Sequence, residues 1–174
     1  MVENLLSVTR IDNDTTKVNK YMEPVDEVVS SAVVRFKKRF PSAELKVSLP
    51  EDFVMVMMDA TLIEQLLINI LQNAYIHSQT VKPIELKVED YSTKIWFSVR
   101  DYGIGIPEER IPTLFDGEGY NENKDVKADG YKGMGIGLSI CKTIVKAHGG
   151  DIKVRNHEEG SEFYFYLPKE TEEE

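Results

Sequence analysis

Residues 66–78 read LLINILQNAYIHS. Leu66, Leu67, Ile70 and Leu71 recur at the spacing of one helix face, so the stretch predicts a helix with a side in a core. Asn69 and Asn73 stand four apart within it, with Gln72 beside the second. Asparagine is a mediocre helix former, and an amide buried without partners costs about 1–3 kcal/mol. Core packing gives no reason for a carboxamide stripe on such a helix. Either neighbouring backbone satisfies it or a ligand does.

The chain has 174 residues, enough for one domain with a proper core, and its 41% hydrophobic content is ordinary for a globular protein. Its 30 acidic and 21 basic residues give a formal charge of -9, which argues against nucleic acid as the main partner. No apolar run approaches the roughly 20 residues that cross a bilayer, and no signal-peptide pattern opens the sequence. A single cysteine, Cys141, excludes an internal disulfide and gives no support to a zinc site. These features suit a cytosolic domain. VENLLSVTRI directly after Met1 begins in mid-helical pattern, which leads us to expect a piece of a longer protein.

Working outward from the central helix, residues 1–12 read as a short amphipathic helix and DNDTTKVNKYM as a linker with a short strand around Val18. EPVDEVVSSAVVRFKKRF predicts a helix with Pro24 in its first turn. AELKVSLP and FVMVMM read as strands, and Asp59 stands where it can cap the helix that follows. IELKVEDY and KIWFSVRDY predict a hairpin turning at Ser92 and Thr93. A short helix is expected around EERIPTLF. GIGLSICKTIVKAH predicts a helix stopped by Gly149 and Gly150. DIKVRN and EFYFYLP make a last hairpin, with Trp96, Phe97, Phe163 and Phe165 read as strand packing. Helices alternating with antiparallel strand pairs predict an α+β fold, a two-layer α/β sandwich with a mixed, mostly antiparallel sheet.

Two glycine segments resist explanation as scaffold. DYGIGIP (101–107) places Asp101 at the end of an apolar strand, where its carboxylate can meet a donor at a pocket floor. GMGIGLSI (133–140) runs straight into a helix, whose first unpaired N–H groups form an anion site suited to phosphate. The spacing is neither that of a Rossmann fingerprint nor that of a P-loop, because Gly137 is followed by Leu138. The catalytic-loop pattern that accompanies a protein-kinase glycine loop is missing. Taken singly, each cluster also reads as a tight turn or a plain helix start.

Taken together and in order, NILQNAYIHS, DYGIGIP, LF (114–115) and GMGIGLSI resemble the N, G1, F and G2 boxes of the GHKL ATP-binding family of gyrase, Hsp90, MutL and sensor histidine kinases. The histidine-kinase branch is the nearest match, and MVENLLSVTRI, MDATLIEQLLINILQNA and GMGIGLSICKTIVKAHGG resemble its KdpD type. The resemblance covers roughly residues 18–168. It implies the end of a dimerisation helix and linker at 1–16, a catalytic ATP-binding domain at 17–168 and an acidic tail at 169–174.

By that resemblance Asn73 helps hold Mg²⁺ against the ATP triphosphate, and Asn69 lies one turn earlier on the same face. Leu66, Leu67, Ile70 and Leu71 would face the sheet. Hydrolytic branches carry a glutamate at the position of Asn69. An amide cannot accept a proton as a carboxylate can, so transfer of the γ-phosphate is favoured over its hydrolysis. Glu64 is five residues from Asn69 and less well aimed. Asp101 would accept from the adenine amino group, His77 would flank adenine or ribose, and Gly103, Gly105 and Ile106 would pass close to the nucleotide. Lys132, Gly133, Met134, Gly135, Ile136, Gly137 and Leu138 would complete the site. The lid would span 116–133, with Lys124 and Lys127 as further phosphate candidates and a solvated role equally open to each lysine.

Departures from the pattern are equally legible. Ile76 replaces the usual N-box lysine, and LFDGEGYNE lacks the second F-box aromatic. None of His77, His148 and His157 sits in the context of a phosphoacceptor. The resemblance therefore implies a catalytic half that acts on a separate dimerisation and phosphoacceptor domain, with a response regulator downstream and no nucleic acid. It implies a membrane-anchored homodimer for the whole protein, with this part cytoplasmic and its own oligomeric state open. A GHKL ATPase or chaperone-type switch, and a non-catalytic ATP-binding scaffold, are the alternatives.

Overall fold

The computed structural model describes residues 18–78, 80–116 and 134–169, with side chains in the last stretch from Gly137 onward. β1 (Tyr21–Pro24) runs directly into α1 (Val25–Arg39). Asp26 and Glu27 meet the positive end of that helix, and Lys37, Lys38 and Arg39 its negative end. β2 (Leu45–Ser48) and β3 (Met55–Met58) lead to α2 (Ala60–Ser78), which carries the amide stripe. β4 (Ile84–Asp90) and β5 (Lys94–Arg100) are followed by a 3-10 turn at Glu108–Thr113. α3 (Met134–Ala147), β6 (Asp151–Asn156) and β7 (Ser161–Pro168) complete the described elements.

Five strands form one sheet in the order β2-β4-β5-β7-β6, while β1 and β3 pair as a separate two-stranded ribbon. Strand alternation sends Ile95, Phe97, Val99, Phe163, Phe165 and Leu167 inward, where all are buried with the apolar faces of the helices. Phe97 stacks on Phe165 at 4.7 Å between ring centroids. Leu66, Leu67, Ile70 and Leu71 are fully buried, as their spacing predicts. The fold is the expected two-layer α/β sandwich.

The start of α2 and the end of α3 are tied together. Asp59 caps its start: Oδ1 accepts from Leu62 N at 3.2 Å, and the Asp59 carbonyl accepts from Ile63 N at 3.0 Å. Asp59 N in turn donates to His148 Nε2 at 3.0 Å, just beyond the end of α3. His148 Nδ1 donates to the Ile144 carbonyl at 2.8 Å, so the ring serves as a neutral bridge between the two helices. After α3 the chain turns through Gly149, at φ 82°, and Gly150 N donates to the Val145 carbonyl.

Local details depart from the sequence reading. The first strand lies at Tyr21–Pro24 and not around Val18; Val18 packs on the core, and Asn19 N donates to Asp59 Oδ2 at 3.1 Å. Pro24 ends that strand, so the helix begins one residue later. The parallel pairing of β2 with β4, across the β3 and α2 crossover, is in keeping with the expected mixed sheet. EERIPT forms a 3-10 turn with Pro112, which has no N–H to give, inside it. Trp96 sits on the outer sheet face against Tyr164 and Tyr166, one residue out of phase with buried Phe97. The expected segment 1–16, the expected tail 169–174 apart from Lys169, and most of the expected lid lie outside the described residues.

Candidate functional site

α2 divides its side chains three ways. Its apolar face enters the core, and Tyr75 packs with Phe36 of α1 and with Phe40 just after it, at 6.2 and 5.1 Å. Asn73 and His77, one turn apart, line a small cavity that opens to solvent. Asp101, Gly105, Ile106, Ser161 and Phe163 form its other walls among the described residues. The Asn73 amide nitrogen is buried with no hydrogen-bond partner among them. Burial pushes the pKa of His77 down, against an upward pull from the Asp101 charge.

Asn69 lies deeper. It is 4% exposed, outside the cavity wall, and its amide lies beside the Cys141 thiol of α3. Burial pushes that thiol up to about 12, so Cys141 is a small neutral packing residue. Glu64 is turned the other way, where its carboxylate accepts from the Ser31 hydroxyl on α1.

Asp101 follows β5 directly and is 6% exposed. Oδ1 accepts from Gly103 N at 3.0 Å and from Ser161 N at 3.4 Å, while Oδ2 accepts from Ser161 Oγ at 3.0 Å. A side chain on Gly103 would overlap the Ser78 main chain, so this glycine lets the loop seat against the end of α2. Gly105 makes the turn at φ 77° that brings Ile106 to the cavity. Asn156, at the end of β6, bonds to both main-chain groups of Ile106.

At the start of α3 the first four N–H groups, Met134 to Gly137, precede the hydrogen-bonded ladder. A side chain on Gly137 would meet nothing within 4 Å among the described residues beyond its own helix turn. Leu138 is different: its side chain is fully buried in the core. Phe115, the expected F-box aromatic, packs edge-on against Phe163 at 6.1 Å. Lys124, Lys127, Lys132 and Gly133 lie outside the described residues, as do the side chains of Met134, Gly135 and Ile136.

The structure thus gathers Asn73, His77, Asp101, Gly105 and Ile106 around one cavity, with Asn69, Gly103 and Leu138 outside its lining. Sequence reasoning missed Ser161, Phe163 and Asn156. A signal existed for Ser161, a lone hydroxyl in phase with inward-facing Phe163, Phe165 and Leu167. Asn156 had none, since its role depends on a loop 50 residues away.

A two-layer sandwich in which a buried aspartate and an amide-bearing helix meet at one cavity is the frame of a nucleotide-binding domain. Residues 58–171 match the family model described as histidine kinase-, DNA gyrase B-, and HSP90-like ATPase, and the chain belongs to that family. It is 46% identical over 171 residues to the sensor protein KdpD of Clostridium acetobutylicum and 34% identical over 174 residues to that of Escherichia coli K12. Each match covers 98% of this chain and 19% of the relative, so the chain spans about a fifth of those proteins. The catalytic domain of histidine kinase ThkA superimposes with a TM-score of 0.75 at 29% identity, covering 87% of this chain and 99% of that one. ThkA in complex with the response regulator protein TrrA gives 0.72 at 27% identity, over 97% of this chain and 48% of that one. Within its family the chain is an ATP-binding catalytic domain of the sensor histidine kinase kind. Among the described residues no helix is long and apolar enough to cross a membrane.

Proposed function

We propose that the chain binds ATP in this cavity and presents its γ-phosphate to a histidine on a dimerisation and phosphoacceptor domain outside the chain, for relay to a response regulator. The observation that carries the reading is the placement of the Asp101 carboxylate and the Asn73 amide on the walls of one cavity. A carboxylate offers about four acceptor positions, and Gly103 and Ser161 occupy three at Asp101. The fourth suits the exocyclic amino group of adenine. Guanine presents a carbonyl there and is repelled.

The residues present also fit Mg²⁺. Among the described residues no group of three or more histidine, cysteine or acidic side chains could hold an ion by itself. Mg²⁺ is a hard ion that keeps several waters, and Asn73, on the cavity wall, carries a side-chain carbonyl oxygen that would be its ligand beside the nucleotide. Bound there with the triphosphate, it would neutralise phosphate charge. The leading amides of α3, Met134 to Gly137, with Gly133 and Lys132 before them, would receive the phosphates.

Transfer is favoured over hydrolysis because no carboxylate stands at the hydrolytic base position and the nearest one is directed elsewhere. Asn69 is an amide, and the Glu64 carboxylate is engaged by Ser31. Phosphoryl transfer needs little from the protein beyond positioning and charge stabilisation. The whole protein would be a membrane-anchored, KdpD-like homodimer with this domain in the cytoplasm, and ThkA's crystallisation with a response regulator supports the relay. Ile76, 54% exposed in place of the usual lysine, favours the scaffold alternative. Titration with ATP and GTP, with and without Mg²⁺, tests the reading. A clear preference for ATP that Mg²⁺ strengthens is expected, and equal affinities would overturn it.

A further inference from the structure

Asn156 ends β6, and its register partner is Ser161, the first residue of β7. This closing pair of the hairpin grips the 101–107 loop at two points. Ser161 holds Asp101 at its start. Asn156 holds its far side: Oδ1 accepts from Ile106 N at 2.9 Å, and Nδ2 donates to the Ile106 carbonyl at 2.6 Å and to Glu108 Oε1 at 3.2 Å. One side chain therefore satisfies both main-chain groups of Ile106, as a neighbouring strand would. Gly105 makes this approach possible, since a side chain there would sit 3.1 Å from Asn156 Oδ1 on a backbone already at φ 77°.

We propose that Asn156 is a positioning residue for the nucleotide site, fixing Gly105 and Ile106 in the cavity wall and so setting affinity for the adenosine part of the ligand. The proposal rests on the ATP reading above. Asn156 does not itself line the cavity, and it acts through Ile106, which is 6% exposed. A loop held in place before the ligand arrives need not be ordered on binding, whereas a loosened loop adds that entropy cost to every binding event. Both ends of the amide are needed. A carboxylate in its place keeps the acceptor, loses the donor and sets a negative charge beside Glu108.

Amide hydrogen exchange without nucleotide, paired with ADP titration, tests the assignment in the intact chain. In Asn156→Ala the Ile106 amide should exchange faster, and ADP affinity should fall about tenfold, the effect of losing one or two hydrogen bonds. The ratio of affinities with and without Mg²⁺ should stay as in the native chain. Asn156→Asp should also weaken ADP binding, and adding Glu108→Gln should recover part of the loss by offering a donor to the new carboxylate. A merely structural asparagine would lower thermal stability but leave ADP affinity unchanged and the double variant no better. That result, or unaltered Ile106 exchange, overturns the proposal. Faster Ile106 exchange in a chain whose native form binds no ADP would instead refute the nucleotide reading and leave only the loop clamp standing.

Discussion

Asp101 and Ser161 hold each other through main chain and side chain at once: Asp101 N donates to the Ser161 carbonyl at 3.0 Å, and Ser161 Oγ returns a bond to Asp101 Oδ2 at 3.0 Å. The strand ladder thus aims the carboxylate, leaving it little freedom to turn from the cavity. Asp101→Asn keeps the size of the group but puts an amide where adenine needs an acceptor. ATP affinity should fall about 10- to 100-fold, the worth of a hydrogen bond to a charged group, while GTP affinity changes little. Calorimetric titration of both nucleotides checks this, and unchanged relative affinities would place the base elsewhere.

Asn73 faces the same cavity from α2 and has no part in the Asp101 network. In Asn73→Ala, binding of metal-free ADP should stay near its native value, while the gain in ATP affinity on adding Mg²⁺ should shrink. Equal losses with and without the metal would make Asn73 a structural amide.

Two glycines should respond in opposite ways to the same change. Gly103→Ala drives a methyl into the Ser78 main chain, which cannot move aside without shifting α2, so the thermal midpoint should drop sharply. Gly137→Ala meets open space within a helix, where alanine is favoured over glycine by about 1 kcal/mol. That variant should be as stable as the native chain or more so, yet bind ATP more weakly. Undiminished ATP affinity would remove the start of α3 from the phosphate site.

The legibility of these positions followed the range of the interactions involved. Periodicity in 66–78 and alternation in KIWFSVR and EFYFYLP are local, so α2 and the central hairpins could be read directly. The order of the boxes along the chain brought out Asn73, Asp101 and the glycine loops. What could not be read depends on distant chain. Parallel pairing of β2 with β4 rests on a crossover, Asn69 is buried because α3 places Cys141 against it, and Asn156 acts on a loop 50 residues earlier. For Gly103 the sequence suggests ligand approach, and the structure adds a contact with the Ser78 main chain that only a bare residue allows.

The His148 bridge predicts an acid-sensitive fold. Burial lowers its pKa, partly offset by its bond to Ile144 and the Asp59 charge, while Lys20 adds a further downward push. The unfolded chain then takes up the proton first, so this contribution is complete above about pH 6.5 and is lost as pH falls toward the lower folded value. Denaturant unfolding at pH 7.5 and 5.5 should show weaker stability at the lower pH. His148→Gln, which can still accept from Asp59 N but does not titrate, should flatten that difference. A slope unaffected by the substitution would mean that other groups carry it.

Phosphoryl transfer is tested most directly by mixing this chain with the histidine-bearing dimerisation helices of a KdpD-type kinase, supplied as a separate protein, and with ATP labelled at the γ-phosphate. The expected product is an acid-labile label on the helical protein, formed slowly because tethering and its effective concentration are absent, and lost in Asn73→Ala. No label should appear on the chain alone. A silent mixture at saturating ATP and Mg²⁺ with a folded acceptor, or a label on His77, His148 or His157, would contradict the assignment of this domain as the catalytic half of a histidine kinase.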